Sequence, residues 1–484
     1  MKRDAWWMDR VPGRIKQAFQ RIEAHMTASQ IMVTGFALAI FAGGILLSMP
    51  FCNADGHWLR FIDALFTACS AVCVTGLVTI VPATQFTLTG KVILLILIQL
   101  GGLGIIACTM GTFLILRKQI TIRSRVMIQD SYDLHSMTGI VILLRYVIRG
   151  TFFVEGCGAV LYAVRFIPQY GLLRGLWYAL FHAISAFCNA GIDILGETSL
   201  QQYVADLYIN VVTILIIVVS GLGFLVWKDL MLAASRLYHR EYPLCRVIQK
   251  LKLHTKLALV MTVSLVAIGT VGIFCMEYSN PRTLGGMPVG EKWLAAMFQS
   301  VTTRTAGFFT IPQDRFLPQS QLLSCILMFI GGSPGGTAGG IKTTTIAILY
   351  LTCWSVLKGT EDTECFRRRM PAANVRTAFS VLTVAGTAVL TGTMLILVLE
   401  HTGLIPAFYE VVSAVGTVGL TAGLTPVLTT AGKLVIIVLM YMGRLSPVTL
   451  ALLFASRYKK HGKGRKLPEE RIMVGEPAGD TGIR

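Results

Sequence analysis

Four short segments carry the residues best suited to hold an ion, and they would hold it with backbone. "LFTACSAVCVTGL" (65–77), "LFHAISAFCNAGI" (180–192), "MFQSVTTRTAGF" (297–308) and "FYEVVSAVGTVGL" (408–420) share one pattern. Each opens near an aromatic residue, passes through a helix-compatible stretch with Ser or Thr, and closes on a glycine followed by an apolar residue. The closing glycines, Gly76, Gly191, Gly307 and Gly419, recur at intervals of 115, 116 and 112 residues. Glycine supplies the dihedrals that turn successive carbonyls toward one lumen. Rings of carbonyls that replace a hydration shell are how a potassium filter works. The short helix before each loop would aim its partly negative C-terminal end at the same place. Four such loops in register are hard to explain as ordinary helix-breaking turns.

A fifth segment, "GGSPGGTAGGIKTTT" (331–345), sits inside an apolar run where a helix would be expected. Each Gly there costs a helix about 0.5–1 kcal/mol relative to Ala, and Pro334 about 3 kcal/mol. Its "GGTAGGIKT" is a near miss to a phosphate-binding loop, but Ile341 separates Gly340 from Lys342 and no strand precedes it. Nucleotide binding is therefore not expected at this position.

The elements around these segments repeat as well. A long apolar run precedes each one (31–49, about 139–164, 257–276, 378–399), and another follows (92–116, 207–227, 322–354 with its interruption, 433–455). Each unit therefore reads as helix, half-helix with loop, helix. The middle piece is too short to span about 30 Å of hydrocarbon and must return to the side it entered. Non-helical backbone at that depth is tolerated only where protein buries it or it lines water. The expected fold is an all-α integral membrane protein with eight transmembrane helices and four re-entrant pore loops, in pseudo-fourfold symmetry around one pore. The expected segments are a cytoplasmic N-terminus (1–29), repeat one (30–125), repeat two (126–240), repeat three (241–360, with loop 331–345), repeat four (361–456) and a cytoplasmic tail (457–484).

Composition agrees. The chain of 484 residues is 54% hydrophobic and 14% charged, against roughly 25% charged in soluble domains. Of its 43 Lys and Arg, 30 fall in five clusters (2–21, 117–125, 228–256, 358–376, 457–484). All five lie on one side if every intervening block crosses the membrane an even number of times. That is the positive-inside pattern, with both termini cytoplasmic. Topology thus accounts for the net charge of +18 without a nucleic-acid partner. The eleven cysteines show no zinc spacing and read as buried thiols. Arg304, beside the third closing glycine, would repel a cation if it faced the lumen. It is expected to turn behind the filter and pair with Glu410, since membrane-buried charges normally find partners. No convergent nucleophile, acid/base or metal constellation suggests an enzyme. The four repeats share one orientation, unlike the inverted repeats of many secondary transporters.

With "DALFTACSAVCVTGL" (63–77), "SAVGTVGLTAGLTPVLTTAGK" (413–433), "IPQYG" (167–171), "MEYSNPRTLG" (276–285) and "GGIKTTT" (339–345) added, the chain resembles the Trk/Ktr/HKT superfamily of potassium transporters. It looks closest to the KtrB-type membrane subunit of bacterial Ktr systems. The resemblance covers residues 28–457 and implies potassium uptake across the cytoplasmic membrane by a multi-pass protein, without a covalent cofactor and with Na⁺ as a candidate activator. It places the filter at Cys73, Val74, Thr75 and Gly76; Cys188, Asn189, Ala190 and Gly191; Thr305, Ala306 and Gly307; and Gly416, Thr417, Val418 and Gly419. Gly at all four closing positions favours K⁺, whereas Cys73 and Cys188 depart from the Thr and Asn often found there; a sodium-selective or poorly selective transporter of the same fold is the alternative. The gate would comprise Gly331, Gly332, Gly335, Gly336, Gly339, Gly340 and Lys342, with Arg444 as an electrostatic barrier. Implied partners are a second copy of the chain, a cytoplasmic ring of KtrA-like nucleotide-binding regulatory subunits, and anionic lipid at the basic loops.

Overall fold

The computed structural model describes residues 28–104, 108, 140–360 and 362–445. Residues 1–27, the 125/126 repeat boundary and the tail 457–484 lie outside the described residues.

Long apolar runs dictate four long helices, and each opens one unit of the chain. Unit one is α1 (Ala28–Ser48), α2 (Phe61–Cys73) and α3 (Leu88–Leu103). Unit two is α4 (Ile140–Tyr170), α5 (Leu172–Cys188), α6 (Leu207–Gly221) and α7 (Phe224–Tyr238). Unit three is α8 (Leu253–Glu277), α9 (Val289–Thr302), α10 (Pro318–Phe329) and α11 (Thr343–Leu357). A hairpin of β1 (Glu364–Cys365) and β2 (Arg368–Arg369) leads to unit four, which is α12 (Ala372–Glu400), α13 (Leu404–Gly416) and α14 (Thr430–Arg444). Among the described residues, α1, α4, α8 and α12 are long and apolar enough to cross a membrane singly, and the bent α6–α7 pair passes the same test together. Their outward faces carry residues such as Leu38, Val160, Ile268, Leu390 and Met394, all exposed, as helices bathed in lipid require.

Each long helix packs on the short helix of its own unit: α1 on α2, α4 on α5, α8 on α9, α12 on α13. The helix that follows packs on the short helix of the next unit. Thus α3 meets α5, α6 meets α9, α10 meets α13, and α14 returns to α2. The units therefore close a ring. The short helices fill its centre, and their aromatic residues Phe66, Phe181, Phe298 and Tyr409 are all fully buried.

The outer ends are tied by capping chemistry, because the first amides of a helix need acceptors. Thr87, Asp206 and Thr429 cap α3, α6 and α14 through Gly90 N, Tyr208 N and Ile209 N, and Gly432 N. The preceding long helix reaches the same corner. Glu277 of α8 accepts from Leu317 N at 2.8 Å, Glu400 of α12 accepts from Thr429 N at 3.0 Å, and Arg165 of α4 pairs with Asp206 at 2.8 Å.

One expected helix is broken. The run 207–227 reads as a single span, but α6 and α7 meet at 100°. Gly223 adopts φ 88° there, and Phe224 N donates to Gly335 O rather than continuing the α6 ladder. The interruption in unit three is also slightly displaced from 331–345. Helix α10 stops at Phe329, and Thr343–Thr345 already form the first turn of α11.

Candidate ion pathway

The loops after the four short helices converge at the centre of the ring. Val74, Asn189, Thr305 and Thr417 are all left-handed (φ 51–67°), each two residues before its closing glycine. Gly76, Gly191, Gly307 and Gly419 then take φ of 100°, 62°, 80° and 92°. A methyl group added to Gly76 would lie 2.6 Å from Ala190 O, one on Gly191 the same distance from Ala306 O, and one on Gly307 the same distance from Val418 O. One on Gly419 would meet Thr75 O and close the cycle. Every glycine is thus pressed against the carbonyl that precedes the next unit's glycine. No larger residue fits without displacing that carbonyl.

Hydroxyls brace the loops from behind. Ser70 and Ser413 accept from Gly76 N and Gly419 N at 2.9 and 3.1 Å. Ser185 donates to Ile192 O at 2.6 Å, and Thr302 donates to Phe308 O. Hydroxyl side chains from all four short helices therefore hold the backbone at the centre. The hydroxyls of Thr75, Thr305 and Thr417 are buried at the convergence without a hydrogen-bond partner among the described residues. The two cysteines contact helices: Cys73 Sγ lies 3.8 Å from Cys69 Sγ, and Cys188 Sγ is 3.6 Å from Gln99 Oε1.

The segment 330–342 lies directly beneath two of these loops. Gly339 packs against the Thr417 side chain and Gly340 against Gly416. Thr337 donates to Phe187 O at 3.0 Å and accepts from Asn189 Nδ2 at 3.1 Å. The segment is closed on itself by Gly331 N donating to Ile341 O at 2.8 Å and Thr343 N to Gly332 O at 3.1 Å. It is docked on the α6–α7 break through Ser333 N to Gly221 O and Phe224 N to Gly335 O, at 2.9 and 3.0 Å, with Gly336 against Ser220. Both cations meet it. Lys342 Nζ donates to Ala338 O at 2.6 Å, and Arg444 Nη1 donates to Thr337 O at 2.6 Å.

The expected Arg304–Glu410 pair does not form. Arg304 Nη2 reaches Thr262 Oγ1 on α8 at 3.3 Å, while its Nε has no partner among the described residues. Glu410 Oε1 accepts from Thr421 Oγ1 at 2.8 Å and from Thr425 Oγ1. The reason is local geometry. Glu410 turns toward the loop that follows its own short helix, where two hydroxyls arrive without long-range closure, and Arg304 turns outward to the long helix of its unit. Among the described residues a largely buried ion pair does form between Lys433 and Asp63 at 2.6 Å, with Thr79 Oγ1 donating to the same carboxylate oxygen at 2.8 Å. It joins the last unit to the first. Sequence reasoning missed it, although a Lys and an Asp near the starts of apolar segments were the available signal. Glu155 is also buried and accepts from Gln99 Nε2 at 2.9 Å.

A ring of four helix-braced loops inside a bundle of membrane-length helices is the architecture of a polytopic membrane protein in which backbone from all four units meets at the centre. The sequence matches the family model TrkH, described as cation transport protein, over residues 14–461. It is 37% identical over 460 residues to the potassium/sodium uptake protein NtpJ of Enterococcus hirae, covering 94% of this chain and 99% of that one. It is 36% identical over 449 residues to the Ktr system potassium uptake protein B of Bacillus subtilis, covering 93% and 97%. The potassium transporter TrkH of Vibrio parahaemolyticus superposes with a TM-score of 0.69 at 19% identity, over 89% of this chain and 85% of that one. The chain belongs to the TrkH family of cation transport proteins.

Proposed function

We propose that the chain carries K⁺ into the cell across the cytoplasmic membrane, through a filter made by the four central loops. The observation that carries this reading is the cyclic contact of each closing glycine with the next unit's carbonyl. It turns four separate loops into one ring of oxygens, the chemistry that substitutes for water around a weakly hydrated cation. The four short helices add their C-terminal partial charges. In this reading the first and last helices of each unit make eight spans, with α6–α7 and α10–α11 as bent or interrupted ones, and the short helices are re-entrant.

The filter residues are those of Cys73–Gly76, Cys188–Gly191, Thr305–Gly307 and Gly416–Gly419, with the carbonyls as ligands and Thr75, Thr305 and Thr417 as available hydroxyls. Segment 330–342 is the gate, with its glycines, Lys342 and Arg444 closing the path beneath the filter. The basic face is cytoplasmic, with both termini there. A second copy of the chain, a cytoplasmic nucleotide-binding regulatory ring and anionic lipid complete the assembly. Na⁺ acts as activator or second substrate, a reading favoured by the relative named a potassium/sodium uptake protein. Rubidium uptake into proteoliposomes tests the proposal. Uptake that K⁺ competes and Na⁺ competes weakly supports a K⁺ filter, equal competition supports the sodium alternative, and no uptake overturns the assignment.

A further inference from the structure

A short hairpin joins unit three to unit four. Glu364 pairs with Arg369 and Cys365 with Arg368, so only Phe366 and Arg367 make the turn. Two-residue hairpin turns with both residues at positive φ are normally built from Asn-Gly or Asp-Gly. Here Phe366 has φ 49° and Arg367 φ 61°, a conformation that side chains disfavour. Such strain persists only where the surroundings hold it, and it collects at functional positions. The turn also exposes what a hairpin tip normally hides. Phe366 is 50% exposed, and Arg367 and Arg368 are exposed without an ion pair among the described residues, whereas Arg369 is held by Asp362 at 2.8 Å.

The surroundings of the turn fit one kind of ligand. Lys256 Nζ sits 5.7 Å from the Phe366 ring. On α11, Tyr350 and Trp354 stack on one another on the exposed face, and Lys358 lies over Trp354 at 5.3 Å. An aromatic pair followed by Lys is the pattern of a membrane–water interface, and unpaired arginines beyond it suit lipid phosphates. The geometry points to a headgroup site for an anionic phospholipid at Phe366, Arg367 and Arg368, flanked by Lys256 and Lys358. This deepens the proposed transport function and rests on its assignment of the basic face to the cytoplasm and of 330–342 to the gate.

The hairpin is stapled to the helix that leaves the gate. Cys365 and Met370 pack with Ala347, Ile348 and Leu351 of α11 and Leu257 of α8. Thr352 and Thr363 hydroxyls meet at 3.2 Å, and Ser355 Oγ donates to Asp362 O at 2.8 Å. Helix α11 runs unbroken from Leu357 back to Thr343, next to Lys342. A lipid bound at the tip therefore biases the position of α11 and, through it, the gate segment.

The test uses the full chain in liposomes of phosphatidylcholine alone or with phosphatidylglycerol, reading rubidium uptake and lipid retention by native mass spectrometry. The expected result is uptake in both, several-fold different with phosphatidylglycerol, and retained anionic lipid. The paired substitution Phe366→Asn with Arg367→Gly installs a relaxed turn and should fold at least as well, yet lose the lipid response. Each basic residue removed should weaken headgroup binding about fivefold, so Arg368→Gln added to the pair compounds the loss. A relaxed-turn variant with an unchanged lipid response overturns the site. So does a variant that is normal in both liposomes but defective in cells, which would assign the tip to an acidic protein surface. Absence of uptake in every lipid would instead overturn the transport reading.

Discussion

Arg444 Nη1 donates a 2.6 Å hydrogen bond to the carbonyl of Thr337, and Nη2 of the same guanidinium reaches the carbonyls of Gly101 and Gly102. One side chain at the end of α14 thus joins segment 330–342 of unit three to the end of α3 in unit one. Thr337 in turn holds Phe187 O and Asn189 at the second of the four central loops. Charge-assisted bonds of this kind contribute roughly 1.5–3 kcal/mol each. Arg444→Gln should free the segment, raise rubidium uptake about tenfold and lower thermal stability, since three charge-assisted bonds are lost. Reduced uptake in a folded variant would contradict a closing role for Arg444.

Deleting 334–338 removes Thr337 and the docking on the α6–α7 break together. Uptake should rise at least as much as in Arg444→Gln, and the two changes combined should not add, because they release the same segment. Uptake at or below the parent level, in a protein that elutes normally from size exclusion, would make 330–342 a passive kink.

Much of this arrangement is legible in the sequence, because backbone geometry repeats where side-chain identity does not. The four closing glycines announce themselves by their fixed spacing and the Gly-rich interruption by its composition, whereas the left-handed residue two places before each glycine does not, since Val74, Thr305 and Thr417 are β-branched. The bend at Gly223 was less legible. "SGLGF" is two glycines in an apolar run, and only Gly335, more than a hundred residues away, supplies the acceptor that turns the chain. Charge pairing is not legible in the sequence for a related reason. Which way Arg304 and Glu410 point depends on the rotation of each short helix, which no repeat period encodes. Asp63 and Lys433 become neighbours only because the ring closes α14 onto α2.

That closure gives a stability prediction. Removing one partner of a largely buried pair leaves the other uncompensated, at a cost approaching the roughly 3–5 kcal/mol of a fully buried pair. Asp63→Asn should lower the apparent melting temperature of the detergent-solubilised protein markedly. Asp63→Leu combined with Lys433→Met should recover most of it. A single variant as stable as the parent would show that the pair does not hold the ring closed.

The separate environments of Arg304 and Glu410 predict how charge swaps behave. Arg304→Glu should abolish uptake, and adding Glu410→Arg should not restore it, because the two side chains do not meet. Replacing Thr421 and Thr425 by Val should destabilise the protein by about 1–3 kcal/mol for each hydroxyl lost to the carboxylate. Rescue by the double charge swap would restore the direct pair expected from sequence.

The most direct test of the central claim is the ratio of K⁺ to Na⁺ uptake in Gly76→Ser, measured in proteoliposomes beside the parent protein. A Cβ at Gly76 would lie 2.6 Å from Ala190 O, so the ring must open at that position. The four-loop filter predicts a fall in the K⁺/Na⁺ ratio with transport retained. An unchanged ratio in a transporting variant would contradict it.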